Sequence, residues 1–405
     1  MKKFLNLHLF ILMIFAVTIS QSFASDSDLN SDDIRLKEQR ITENISEQVE
    51  KQIPRVRETK MEKKLSEITS KLTPHMGRDL NYEVRIIKRD DPHAFSLPGG
   101  LTYITTGMLE FLKSDHETAA VLAREFVHSD HSHWLTQSSR NEKIDFQTMA
   151  EVAAATQSGK VAGSMVKTYL NRAVINFYDI DLEKEADLKA LDIIKRSGYN
   201  NTGLLTYIER MRIERLKQLY VRGIDIRYKS GFKPLETVLE TMKFIKPKEG
   251  NRKETDPVQT DMIQANTDME ERVVAVLEYF KENNVDIRRK YVLNVLIPGV
   301  KAISGENVLT LDNTELFRER EEAVPKRNFE TYKYRLDRDI QLETPQYDIQ
   351  VQSVNGAKAL LISGKPLIYE KDMSDGSPGL SHIRKMIIKA LTDARRENFL
   401  TDYYE

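Results

Sequence analysis

The chain has 405 residues, 40 % of them hydrophobic, which is length enough for two domains with a sizeable core. Its 61 basic and 62 acidic side chains nearly cancel to a formal net charge of -1, so no basic stripe is available for a nucleic-acid partner. Cysteine is absent, which excludes a disulfide framework, a thiol nucleophile and lipoprotein attachment.

The start, Met1-Lys2-Lys3, is basic, Phe4 to Ile19 is apolar, and Ser22-Phe23-Ala24 before Ser25 is a small-x-small cleavage site. This pattern predicts a signal peptide over residues 1–24, cleaved to release a periplasmic protein. Ser25 to Asp33 is polar and reads as disordered. Ile34 to Leu72 has apolar residues at helical spacing among Glu, Lys and Arg, and Pro54 divides it into two helices. Tyr82 to Ile87 alternates like a half-buried strand. After the turn Pro98-Gly99-Gly100, Leu101 to Thr106 reads as its antiparallel neighbour.

A short helix is predicted over Thr106 to Lys113. A longer one, capped by Ser114 or Asp115 with Glu117 in its first turn, runs to about Trp134. A helix that begins before Glu183 stops at Gly198. Leu204 to Tyr220, Pro234 to Phe244 and Met269 to Asn283 read as further helices, with Lys246 to Asp261 as a polar loop.

After Arg288 the character changes. Tyr291 to Ile297, Tyr347 to Val354 and Lys358 to Tyr369 read as strands, the last two joined at Asn355-Gly356, and Leu380 to Asn398 as a closing amphipathic helix. No internal repeat or low-complexity tract stands out. The expected fold class is α+β: a helix-rich domain with a small antiparallel sheet over 25–290, then a smaller α/β domain over 291–405.

One segment carries chemistry. Ala123-Arg124-Glu125-Phe126-Val127-His128 reads as H-E-x-x-H with its first letter changed. In that motif two imidazoles one helical turn apart hold a zinc ion while the glutamate polarises the attacking water. A guanidinium offers no lone pair and stays protonated, so it cannot be a ligand.

Four ordered blocks carry a resemblance. His93 to Gly100 followed by Tyr103 to Leu109 looks like the N-A-F-A-L-P-G-G strand-turn segment of the HtpX-like and BepA-like zinc metallopeptidases, peptidase family M48. Glu117 to Ala123 matches the run before their H-E-x-x-H, and Glu183-Lys184-Glu185-Ala186-Asp187 matches their E-x-x-A-D block. Glu270-Glu271-Arg272-Val273 resembles their T-E-E-R-I segment. The similarity spans about residues 50 to 285, and the tetratricopeptide tail of the BepA-like members is not recognisable after it.

The resemblance implies a zincin-like peptidase domain with zinc as cofactor, His128 and Glu183 as second and third ligands, and Glu125 as general base. Asp187 would be the carboxylate that orients the missing first histidine. Positions 124 and 128 lie one turn apart on one helix, and 183 and 187 on another, so the two can converge. With Arg124 in place of the first ligand, its planar fork is expected to pair with Asp187, Glu183 or both, leaving no metal there.

Other departures accompany it. Ala265-Asn266-Thr267-Asp268 stands where relatives carry a histidine, and His93 replaces the asparagine that opens the strand. A relocated metal on His128 and His131 with Glu183 is one alternative; complementing the helix dipole is the other reading of His128, His131 and His133. Trp134 reads as a packing residue, and Tyr178 as a core tyrosine with its hydroxyl at the surface.

Two functions are expected. One is an envelope metalloendopeptidase of protein quality control, impaired by Arg124. The other is a non-catalytic adaptor or chaperone for unfolded chains or an envelope partner. In either case the strand around Thr102 to Thr106 would pair with an extended peptide.

Overall fold

The computed structural model describes residues 31–139, 178–221 and 257–398, together with Leu400. The leader expected over 1–24 and the helix expected over Pro234 to Phe244 lie outside the described residues. Among these residues no helix is long and apolar enough to cross a membrane.

Helix α1 (Ser31–Gln52) buries Ile41, Ile45 and Val49, one residue per turn, on a single stripe. The chain turns at Pro54 into strand β1 (Arg55–Val56), and α2 (Thr59–Leu72) buries Leu65, Ile68 and Leu72 in the same manner. Strands β2 (Glu83–Ile87), β3 (Ala94–Ser96) and β4 (Leu101–Thr105) complete a sheet in the order β1-β2-β4-β3.

This sheet corrects two expectations. β4 runs parallel to β2, and its antiparallel partner is β3, through the register Ala94 to Ile104 and Ser96 to Thr102. The tight turn Pro98-Gly99-Gly100 closes the β3–β4 hairpin, so the chain has already reversed once before β4 begins. Gly100 has φ +102°, and a Cβ there would meet the Asn81 carbonyl oxygen at 3.0 Å, so only glycine fits. Because β4 has a neighbour on each side, the Thr102 to Thr106 strand is not an edge; β3 is.

Thr105 caps α3 (Thr106–Phe111), accepting the Met108 amide at 3.0 Å, and Ser114 caps α4 (Asp115–Asp130), accepting from Glu117 at 3.3 Å. Every residue of α4 from Glu117 to Ser129 is buried, which makes it the central helix. It packs against α2, β3, α6 (Ile180–Arg196) and α7 (Thr202–Val221). α6 ends at Gly198, with φ +78°, and the Tyr199 amide returns to Ile194 O at 3.0 Å.

α4 does not reach Trp134. Ser132 takes a left-handed φ of 48°, and a separate helix α5 (His133–Ser139) starts there. Helix α8 (Pro257–Glu282) is longer than expected and takes in residues 257–261 of the stretch read as a polar loop. Pro257 at its first position costs no hydrogen bond and presets the backbone.

A second core begins at Leu293. Tyr291 to Ile297 is not a strand: α9 (Arg289–Leu293) closes on Asn294 in the left-handed region, and Lys290 donates to the carbonyls of Asp337 and Ile340 at 2.7 and 3.2 Å. Strands β5 (Pro298–Ile303), β6 (Glu306–Leu311) and β7 (Thr314–Arg320) form an antiparallel meander, followed by α10 (Lys326–Asp339). β8 (Ile349–Val354), β9 (Ala357–Ile362) and β10 (Lys365–Tyr369) form a second, followed by α11 (Leu380–Glu397).

The run Lys358 to Tyr369 is thus two strands, turned at Ser363-Gly364 with φ 48° and 74°. The unit is a repeat, three strands and a helix twice over, which corrects the reading that no internal repeat is present: Val300, Gly305, Leu309, Leu316 and Glu319 recur 51 residues on as Val351, Gly356, Leu360, Leu367 and Glu370. α10 packs on β5, β6 and β10, and α11 on β7, β8 and β9, so the two halves share one core.

Candidate functional site

Four helices and one strand line an open cleft of about 470 Å³, to which α7 contributes Tyr207 and Arg215. α4 supplies Arg124, Glu125 and His128, α6 supplies Glu183, α8 supplies Met269 and Arg272, and β3 forms a wall with Ala94, Phe95 and Ser96. The four charged residues Arg124, Glu125, Glu183 and Arg272 are each at most 6 % exposed. Ions this buried require partners.

Arg124 meets three carboxylates. Its Nη1 lies 2.5 Å from Glu125 Oε1, its Nη2 donates to Glu183 Oε2, and its Nε is 3.3 Å from Asp187 Oδ1. Arg272, from α8, completes the set: Nε and Nη2 bond Asp187 at 2.6 and 2.9 Å, and Nη1 is 3.2 Å from Glu183 Oε2. The bidentate fork on Asp187 is the geometry a guanidinium favours.

Electrostatics divide the carboxylates. Burial pushes Glu125 up to about 7 against the pull of Arg124, with the neighbouring Glu183 charge adding to the rise. Burial acts on Glu183 in the same sense, but Arg124, Arg272 and Arg215 together outweigh it and hold Glu183 below the ordinary glutamate range. Arg124 itself stays firmly protonated: burial opposes its charge, and Glu183, Glu125 and Asp187 overcome that opposition.

His128 stands apart from this network. Its ring stacks on Tyr178 with centroids 4.1 Å apart and planes 8° from parallel, and its Nδ1 lies 2.8 Å from His133 Nδ1. Nε2, without a hydrogen-bond partner among the described residues, is 3.8 Å from Glu183 Oε1. Burial, then Arg124, holds His128 well below the ordinary histidine range, so it is neutral.

The structure therefore brings Arg124, Glu125, His128, Glu183 and Asp187 to one place. His131 does not join them: its Nδ1 is 3.0 Å from Glu185 Oε1, so the grouping of His128, His131 and Glu183 does not form. His131 is the C-cap residue of α4, and the bend at Ser132 after it brings His133 to the same Glu185. Tyr178, 5 % exposed, belongs to the buried cluster of Trp134 and Leu182, as expected of a core tyrosine, and it also lines the cleft. Arg272 and His133 were not picked out as members of the site, although Arg272 sits inside the Glu270 to Val273 block. Asn266 falls within α8, and its side chain lies outside the described residues.

A zinc ion needs three protein donors around an open centre. Here His128 Nε2 and Glu183 are two, and the space between α4 and α6 is taken by a guanidinium already bonded to Glu183 and Glu125. These residues, as arranged, do not fit a zinc ion at that point.

The model of Peptidase family M48 matches residues 57–276, which span α2 through α8 and every residue of the cleft. The chain belongs to that family. It is 30 % identical over 135 residues to the mitochondrial metalloendopeptidase OMA1 of Schizosaccharomyces pombe, covering 33 % of this chain and 38 % of that protein. It is 25 % identical over 154 residues to the metalloprotease YcaL of Escherichia coli, covering 38 % of this chain and 59 % of that one. The matched stretches thus cover less than two thirds of either M48 relative.

Proposed function

We propose that this M48 protein binds extended or unfolded polypeptide in its cleft and is impaired in zinc-dependent hydrolysis, acting as an adaptor or chaperone of the bacterial envelope. The single observation that carries the reading is Arg124, whose guanidinium stands among Glu125, Glu183 and Asp187 where the family's zinc chemistry would need an imidazole. Replacing a ligand by a fixed cation removes a donor and repels a second positive centre.

Polypeptide binding rests on β3. It is the edge of its sheet and it lines the cleft beside Glu125, so an incoming strand can add to it by main-chain hydrogen bonds. The envelope location rests on the leader pattern of residues 1–24. A working zinc endopeptidase is the competing reading, favoured by the names of the two M48 relatives and opposed by Arg124.

Degradation of an unfolded casein-like substrate tests it, with the wild type beside Arg124→His. The wild type should retain the substrate without chelator-sensitive cleavage. Arg124→His should gain an equivalent of zinc that Glu183→Gln abolishes. Chelator-sensitive degradation by the wild type would end the proposal.

A further inference from the structure

On the outer side of the same helix pair, His131, His133 and Glu185 present their donors to one another, all within 4.8 Å. We propose that these three residues form a divalent transition-metal site, separate from the cleft and suited to zinc or a similar borderline ion. Two imidazoles and a carboxylate are the donor types such an ion takes.

The backbone builds the site. α4 ends at Asp130, Ser132 adopts φ 48°, and α5 begins at His133, so residues 131 and 133 face the same way, although they would diverge on a continuous helix. The bend is pinned from behind. Ser132 Oγ donates to Glu38 Oε1 at 3.0 Å and accepts from Arg78 Nη1 at 2.8 Å, and Trp134 Nε1 donates to the same Glu38 oxygen at 2.9 Å.

Glu185 meets this pair with one oxygen for each imidazole: Oε1 is 3.0 Å from His131 Nδ1 and Oε2 is 3.7 Å from His133 Nε2. Tetrahedral zinc places its donors roughly 3.4 Å apart, so small side-chain rotations close the set.

An independent observation points to a ligand. His133 is 2 % exposed, and its Nε2 has no hydrogen-bond partner among the described residues. A buried ring nitrogen with nothing to bond is costly, and it is aimed at the Glu185 carboxylate. Its other nitrogen is already engaged, 2.8 Å from His128 Nδ1, as the distal nitrogen of a metal-ligating histidine commonly is.

The charges also separate the two locations. Glu185, Glu183 and Asp181 act on His133, whereas Arg124 and Arg272 act on His128. Burial dominates at both rings, but carboxylates face the His133 side and guanidinium groups the cleft side. The His131 and Glu185 side chains are 29 % and 43 % exposed, which leaves an approach from solvent.

Metal on His133 Nε2 fixes the tautomers in series. His133 Nδ1–H donates to His128 Nδ1, and the proton of His128 then sits on Nε2, facing Glu183 Oε1 at 3.8 Å. His128 becomes a positioning residue between the outer ion and the cleft.

Cobalt(II) and zinc(II) titrations of the chelator-stripped full-length protein test this, read by calorimetry and by cobalt d–d absorption. One saturable equivalent with N/O absorption is expected, weakened at least tenfold by His131→Asn and by Glu185→Gln, both at part-exposed positions. Glu183→Gln should keep the equivalent. Absence of saturable binding would overturn the proposal, and so would an equivalent kept by His131→Asn and lost in Glu183→Gln, which would place the ion in the cleft. Neither result depends on proteolysis, so this site and the reading of Arg124 stand or fall separately.

Discussion

Replacing Arg124 by methionine removes a cation from a site where it is 6 % exposed and touches three carboxylates. Breaking a buried ion pair from one side costs about 3–5 kcal/mol, because the other charge stays behind. Arg272 remains on Asp187 and Glu183, so the loss falls mainly on Glu125, whose ability to take up a proton limits it to about 2 kcal/mol at pH 8.5. Glu125 already lies at about 7, raised from 4.5, and losing Arg124 raises it further. A raised carboxyl contributes stability that is full below its unfolded value and is lost as pH rises through the folded one. The penalty of Arg124→Met should therefore be small at pH 5.5 and full at pH 8.5, growing by at most about 1.4 kcal/mol per unit. Adding Glu125→Gln should recover about 2 kcal/mol of it, a coupling typical of neighbours in one network. Urea unfolding of the four proteins of this cycle at the two pH values measures it. An equal penalty at both, or no recovery in the double variant, would refute the reasoning.

Acid should weaken the fold before the carboxylates titrate. Burial holds His93 and His128 well below the ordinary histidine value of 6.5, so below that pH the unfolded chain binds protons that the folded one does not. Each such histidine costs about 1 kcal/mol between pH 6.5 and 5.5, and His93→Asn should remove that much from the fall in stability read by urea unfolding in chelator. Glu38, fully buried and bonded by Arg78, Ser132 and Trp134, anchors α1 to the α4–α5 bend. Glu38→Ala should lower stability by about 3 kcal/mol, seen in the same urea assay, and weaken cobalt binding as the bend loosens.

How much of this was legible follows from what kind of regularity each feature has. The convergence of α4 and α6 was implied by the family resemblance; helical spacing adds that 124/128 and 183/187 each share one face of their own helix. The parallel pairing of β2 and β4 was not readable, because a strand's own alternation carries no sign of which neighbour it takes or in which direction. β5 to β7 and α10 were missed for another reason. α10 buries three apolar residues, Phe329, Tyr332 and Leu336, at i, i+3 and i+7, with the charged Asp339 beside them, and lysine, arginine and acidic residues crowd the rest of its surface. The His131–His133 arrangement depends on a positive φ at Ser132, a residue type that gives no warning of it.

The charge balance of the cleft connects these strands of argument. Three carboxylates, Glu125, Glu183 and Asp187, face one another across α4 and α6. Arg124, Arg272 and Arg215 set three positive charges against them, with Arg215 acting on Glu183 from α7. Glu125 rises to about 7 even so, because burial outweighs the pull of Arg124 and the Glu183 charge adds to the rise. A glutamate that holds its own proton near neutrality is a poor base. The substitution at 124 thus bears on two steps of the family's chemistry, the holding of the ion and the activation of water, and restoring a histidine there should move both together: zinc gained, and Glu125 returned toward its ordinary range.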